Sequence, residues 1–171
     1  MSTSPALTGQ VVVVIGGTSG IGRQTAGLAH DEGADIILTG PDPGRLEHAA
    51  AELGALSTSA FDGTDPAALR RFFTGLPGEV DHVVVTGQLL LSLQIAQVAA
   101  GRVRPGGTLI FMAGTGARHP GPDVAIAAGL AVEIAPVRVN FIEAGFVGDA
   151  ASLAVGLMVN TAITGATYSR G

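Results

Sequence analysis

Three glycines carry the first chemical signal in this chain. In VVVVIGGTSGIG they stand at Gly16, Gly20 and Gly22, spaced G-x-x-x-G-x-G, directly after five apolar β-formers. A turn this tight between a strand and a helix needs positive φ, or a missing Cβ, at some of its positions. The helix that begins near Ile21 presents unpaired N–H groups and a partial positive charge to whatever lies over the turn, which suits an anion. Thr18 and Ser19 add hydroxyl donors. Such a turn can also serve strand–helix packing alone. The strand before it and the helix after it, within one βαβ unit, favour the pyrophosphate of a dinucleotide. A phosphate-loop NTPase is excluded, because its motif requires a lysine and the chain has none.

To hold that turn the chain must supply a buried sheet with helices around it. QVVVVIG (10–16) is apolar on both faces, as a central parallel strand is. IGRQTAGLAHDEG (21–33) reads as a helix with Ile21, Thr25, Leu28 and Ala29 inward and Gly33 at its end. A strand over 34–40 leads to a helix over 42–54, opened by Asp42 as cap and Pro43 at the first helical position. A strand over 55–61, a helix over 65–76 with the same Asp-Pro start, and a strand over 79–87 follow. In RRFF (70–73), Phe72 and Phe73 are expected to pack on the sheet. The second half reads as a helix over 89–101, a strand over 106–114, a Gly/Pro-rich loop over 114–122 and a helix near 123–135. A strand over 136–142, a helix over 149–160 and a short strand over 164–169 complete it. This alternation predicts an α/β fold: a three-layer doubly wound parallel sheet (a Rossmann fold) of about seven strands. Ligands of such sheets lie beyond the carboxyl ends of the strands, beside the first strand. We expect a single domain over 1–171 with a flexible stretch at 1–9.

Apolar residues make up 47% of the chain and charged residues 13%, against about 25% charged in ordinary domains. A small domain has much surface for its volume and should be richer in charge. Either an oligomer, a homodimer or homotetramer, covers part of the surface, or polar segments are missing. A net charge of -5 and the absence of a basic run argue against nucleic acid. With no cysteine there is no disulfide, thiolate nucleophile or zinc–thiolate site. His30, His48, His82 and His119 form no metal-ligand spacing. No signal-peptide core and no long apolar run is present, so the expectation is a bacterial cytoplasmic protein without a membrane partner.

The spacing of the glycines narrows the reading. GGTSGIG resembles the nucleotide motif of the short-chain dehydrogenase/reductase family. FDGTD (61–65) is similar to the family's segment after the third strand, which implies that Asp62 contacts adenine. VDHVVVTG (80–87) resembles the strand that normally ends in N-N-A-G, with Thr86 and Gly87 keeping part of it. VRVNFIEAGFV (137–147) resembles R-V-N-x-x-x-P-G-x-V; Ala144 replaces the proline, while Gly145 and Val147 hold places near the nicotinamide. ITGATY (163–168) resembles the terminal strand. The resemblance runs in order along nearly the whole chain. It implies a hydride exchanged between NAD(P)(H) and a carbonyl or secondary alcohol. The cofactor residues it implies are Gly16, Thr18, Ser19, Gly20, Ile21, Gly22, Thr39, Asp62, Thr86, Gly87, Gly145 and Val147.

The family's catalytic set is absent. That chemistry uses Ser, Tyr and Lys, the last two as Y-x-x-x-K on the helix after the fifth strand, where the ammonium lowers a tyrosine pKa of about 10. Tyr168, the sole tyrosine, falls on the last strand. The serine position falls on Ala113 or Gly114, and Thr115 is the nearest hydroxyl. The helix LLLSLQIAQVAA has no asparagine for a proton relay. Beside family members the chain is short between Gly87 and Leu89, within 122–131 and around 148–150, all at the substrate cleft. Three readings account for this: a chain trimmed to its sheet and crossovers, a sequence without its mobile polar segments, or a catalytically silent member.

The end of the second strand, Thr39-Gly40-Pro41, carries neither the acid that holds an NAD ribose nor an arginine for a 2′-phosphate. Asp42 reads as a helix cap; Thr18, Ser19 and Arg23 tip the expectation to NADP(H) over NAD(H), although Arg23 reads equally as a surface residue. Arg118 and His119 read as solvated turn residues, and Asp62 serves a turn as readily as a ligand.

Overall fold

Val11–Ile15 form the first strand, β1, and every residue after Val11 in it is buried. Burial on both faces is what a run of valine and isoleucine without alternation dictates, and it places β1 in the middle of the sheet. The computed structural model describes residues 4–18, 20–86, 96–113, 128–143 and 149–168. Its strands are β1, β2 (Asp35–Gly40), β3 (Ser57–Ala60), β4 (Val80–Thr86), β5 (Val103–Ala113), β6 (Arg138–Glu143) and β7 (Thr167–Tyr168). They pair in the order β3-β2-β1-β4-β5-β6-β7, and every pairing is parallel. The order reverses at β1, so the switch point of the sheet lies between β1 and β4.

Helices cover both faces. On one, α1 (Gly20–Asp31), α2 (Pro43–Leu53) and α6 (Ala150–Val159) bury Ala26, Ala29, Leu46, Leu53, Ala154 and Leu157 against Val12, Val14, Ile36, Leu38, Val84 and Ile142. On the other, α3 (Pro66–Thr74) sets Leu69 and Phe73 on Val13, Ile15 and Ile37. Residues 96–100 (α4) and 128–133 (α5) are the described parts of two further helices on that face, through Ala96, Ala99 and Leu130. This is the three-layer doubly wound sheet that the alternation predicts. No helix among the described residues is long and apolar enough to cross a membrane.

The helix ends follow local chemistry. Asp42 accepts from the N–H groups of Gly44 (2.9 Å) and Arg45 (3.2 Å), with Pro43 next in the chain. Asp65 accepts from Ala67 (3.0 Å), and Asp149 from Ser152 (2.9 Å). Such caps satisfy N–H groups that the helix itself cannot.

Two expectations change, at Leu7 and β5, and two are refined, since Ile21, Leu28 and Phe72 do pack against the core but stay half-buried. Leu7 is fully buried and its N–H donates to the Glu32 carbonyl (2.8 Å), so the described part of the amino-terminal stretch is docked rather than flexible. α1 buries Gly22, Thr25, Ala26 and Ala29, while Ile21 and Leu28 are half-buried, because α1 packs on α6 as well as on the sheet. Phe72 is half-buried, between the rings of Phe61 (5.2 Å) and Phe73 (5.1 Å). β5 starts at Val103, which pairs with Val80 before a bulge; Gly107 lies so close to the Asp81 carbonyl that a Cβ there would stand 2.3 Å from it.

Candidate functional site

The glycine turn joins the carboxyl end of β1 to the first turn of α1, and each motif glycine meets a different demand. Gly16 has φ +84°, and a Cβ on it would stand 2.3 Å from Thr86 Oγ1. Gly22 lies over the Gly16 carbonyl oxygen, where a Cβ would come to 2.4 Å. Gly20 has φ +58°, and among the described residues nothing lies within 4 Å of where its Cβ would be. Two glycines therefore close the turn onto β4 and α1, while the third leaves its outer side open. The first N–H groups of α1, at Gly20, Ile21 and Gly22, have no intrahelical acceptors and a partial positive charge.

Strands on either side fix the peptide between Gly16 and Gly17. Its N–H donates to the Thr39 carbonyl of β2 (3.0 Å). On the β4 side, Thr86 Oγ1 donates to the carbonyls of Ile15 (3.0 Å) and Gly16 (3.4 Å). Thr18 rests on Gly40 at the end of β2, where a Cβ would meet its Cγ2 at 2.5 Å. The structure thus brings together Gly16, Thr18, Gly20, Ile21, Gly22 and Thr86. Gly17 and Gly40, which sequence reasoning did not single out, are packing positions of the same turn. Their demand comes from Leu38 and Thr18, which neighbour them only in the fold.

Thr39 is a correction. Its side chain is 1% exposed and its hydroxyl donates to the Val14 carbonyl (3.3 Å), so it packs within the sheet rather than facing a ribose. Arg23 is another. Its guanidinium pairs with Glu52 of α2 (3.0 Å), and Glu52 also meets His48 (3.0 Å). The Arg23 and His48 partners hold the exposed Glu52 carboxyl below its usual range. Asp62 is exposed and accepts the hydroxyl (2.7 Å) and the N–H (2.9 Å) of Thr64, which lowers its pKa. Ser19, Gly87, Thr115, Gly145 and Val147 lie outside the described residues.

Beyond β4 the same rim changes character. β5 ends at Ala113 and β6 at Glu143, its register partner. Glu143 is half-buried and is the one ionisable residue ending β4, β5 or β6. It went unnoticed in the sequence because it falls on an unspecified position of the R-V-N stretch. Tyr168 is half-buried beside Ile142 on β7, in the core shared with α1 and α6.

The buried ionisable groups lie at the opposite end of the sheet. His82 is 3% exposed, with Nδ1 against Thr108 Oγ1 (2.8 Å) and Nε2 against Gln10 Oε1 (2.6 Å). Burial pushes its pKa down to about 4, Asp81 opposes the shift and Arg138 adds to it. Arg138 donates to the carbonyls of Gly106 (3.0 Å), Leu157 (2.8 Å), Met158 (3.2 Å) and Asn160 (2.7 Å), tying β6 to the end of α6. Burial lowers its pKa as well.

A parallel sheet in this strand order, with a glycine turn at its switch point, defines a doubly wound nucleotide-binding architecture. A sequence model described as short chain dehydrogenase matches residues 10–87. Serine 3-dehydrogenase of Rhizobium radiobacter is 39% identical over 84 residues, covering 47% of this chain and 34% of that protein. Short-chain dehydrogenase/reductase ATR9 of Stachybotrys chlorohalonatus is 24% identical over 189 aligned positions, covering 82% of this chain and 75% of that protein. BdcA of E. coli has the same fold, with TM-score 0.84 and 21% identity over 96% of this chain and 100% of that one. BdcA has also been solved in complex with NADPH; that structure gives TM-score 0.80 and 19% identity over 95% of this chain and 93% of that one. Over residues 10–87 the chain is thus similar to short-chain dehydrogenases, and along its length it shares the fold of such proteins. Its match to serine 3-dehydrogenase spans about a third of that protein.

Proposed function

We propose that the chain binds a nicotinamide dinucleotide, NADP(H) in preference to NAD(H), and serves the family's exchange of hydride with a small carbonyl or secondary alcohol. One observation carries the binding: the turn is closed by Gly16 and Gly22 and, among the described residues, open over Gly20 at the start of α1. The residues present fit the group. Gly20, Ile21 and Gly22 would offer N–H groups to the pyrophosphate, Thr18 would border the adenosine side, and Asp62 keeps one oxygen that Thr64 does not use. Gly87, Gly145 and Val147, which lie outside the described residues, would complete the set that the family resemblance implies. Asp42 caps α2 through one oxygen, and β2 itself ends in Thr39 and Gly40 with no acid for a ribose, which supports NADP(H). A bound nicotinamide supplies or accepts the hydride.

A second reading, binding without turnover, is favoured by a specific observation. The chain has no lysine and its one tyrosine lies on β7. Loss of a positioned proton donor costs roughly 10²–10⁴ in rate. Titration with NADPH and NADH, followed by their own emission because the chain has no tryptophan, tests the binding. A panel of small aldehydes and ketones then separates the two readings. Carbonyl-dependent loss of NADPH supports the enzyme, and tight binding with no such loss supports the silent module.

A further inference from the structure

We infer that Thr86 is a positioning residue that keeps the phosphate turn pre-formed. The inference rests on the binding reading above and deepens it. In the family stretch that VVVTG resembles, alanine stands before the last glycine, so this hydroxyl belongs to the present chain. Thr86 is half-buried at the carboxyl end of β4, in line with Met112 of β5. Its hydroxyl reaches across to β1 and donates to the carbonyls of Ile15 and Gly16.

The Gly16 carbonyl is the critical group. It lies between the Thr86 hydroxyl and Gly22 of α1, so its direction sets how closely the helix start approaches β1. The other side of the same peptide is the Gly17 N–H, bonded to the Thr39 carbonyl. The single hydroxyl proton lies mainly on the Ile15 carbonyl (3.0 Å) and is shared with the Gly16 carbonyl (3.4 Å), so together with the Gly17 N–H bond it resists a rotation that would aim the Gly16 carbonyl at the space over Gly20, where it would repel a phosphate. Without the hydroxyl, one side is released in a turn whose glycines restrain it little. Thr86 therefore acts on a ligand through Gly16 and need not touch it. A pre-formed site avoids paying an ordering cost on binding.

The test pairs Thr86→Ala with Thr86→Ser. Both lose the methyl that lies beside Gly22 and only serine keeps the hydroxyl, so their difference isolates the hydrogen bond. Valine is less suitable, because it would put a methyl where the hydroxyl now meets the Ile15 carbonyl at 3.0 Å. Thr86→Ala is expected to weaken NADPH roughly five- to tenfold relative to Thr86→Ser, the scale of one hydrogen bond. In the ligand-free protein, exchange of the Gly17 amide proton, read by NMR, should quicken by a similar factor in alanine and stay near wild type in serine. A purely structural role would instead lower the melting temperature without changing that ratio. Equal NADPH affinities and equal Gly17 exchange in the two variants would overturn the inference. If the wild-type protein fails to bind NADPH, the binding reading falls, and Gly17 exchange alone still decides whether Thr86 holds the turn.

Discussion

The two halves of this sheet end in different kinds of residue. Beside β1, β2 and β4 the rim is made by Gly16, Gly20, Gly22, Gly40 and Thr86, which act by backbone shape and by one hydroxyl turned onto the backbone. Beside β5, β6 and β7 the described residues at the strand ends are Ala113, Glu143 and Tyr168, none of which forms the family's proton-transfer set. The proposed binding would rest on main-chain geometry that a few glycines specify, whereas the family's catalysis rests on particular side chains. A chain can therefore keep the first while lacking the second.

The sharpest way to break this contrast is at Gly22. Gly22→Val would drive a side chain into the Gly16 carbonyl. We expect it to abolish saturable NADPH binding and to cost about 3 kcal/mol of stability, as overpacking does, read by titration and thermal melting. Gly20→Ala is the partner test. Its side chain meets open space but must adopt φ +58°. It should cost only about 1 kcal/mol, while weakening NADPH more than that loss accounts for.

Arg138 tests the other half. Arg138→Met leaves three carbonyls at the end of α6 and the Gly106 carbonyl of β5 without their donor. The expected loss is about 3 kcal/mol, seen in urea unfolding, with NADPH affinity unchanged among the molecules that remain folded.

His82 gives a pH-dependent version of the same separation. Its pKa falls from 6.5 to about 4 on folding, so the folded state prefers the neutral ring. The stability is complete above pH 6.5 and declines as pH falls toward 4, by at most roughly 3 kcal/mol. His82→Leu should flatten that slope in pH-dependent unfolding. The smallest effect is expected at Arg23, whose guanidinium is engaged in an exposed ion pair with Glu52. Arg23→Ala should leave the ratio of NADPH to NADH affinities as it is, measured by paired titrations.

What could be read in the sequence was local in origin. Asp42–Pro43 and Asp65–Pro66 announced helix starts because a cap and its N–H partners lie within three residues. The valine run of β1 announced a central strand because burial on both faces leaves no polar alternation. What escaped notice depends on neighbours distant in sequence. Thr39 looked like a ligand residue until the Val14 carbonyl took its hydroxyl. The docking of Leu7 depends on Glu32 at the end of α1. The role of Gly40 depends on Thr18 resting on it, and Glu143 gained interest only once register set it beside Ala113.

The account turns on the glycine turn being an open, pre-formed seat for a pyrophosphate. Titrating the wild-type protein with NADPH, with Gly22→Val as control, tests this most directly. We predict saturable binding at one site with a dissociation constant of roughly 1 μM to 1 mM, absent from the control. Failure of the wild type to saturate in that range, or equal binding by Gly22→Val, would contradict it.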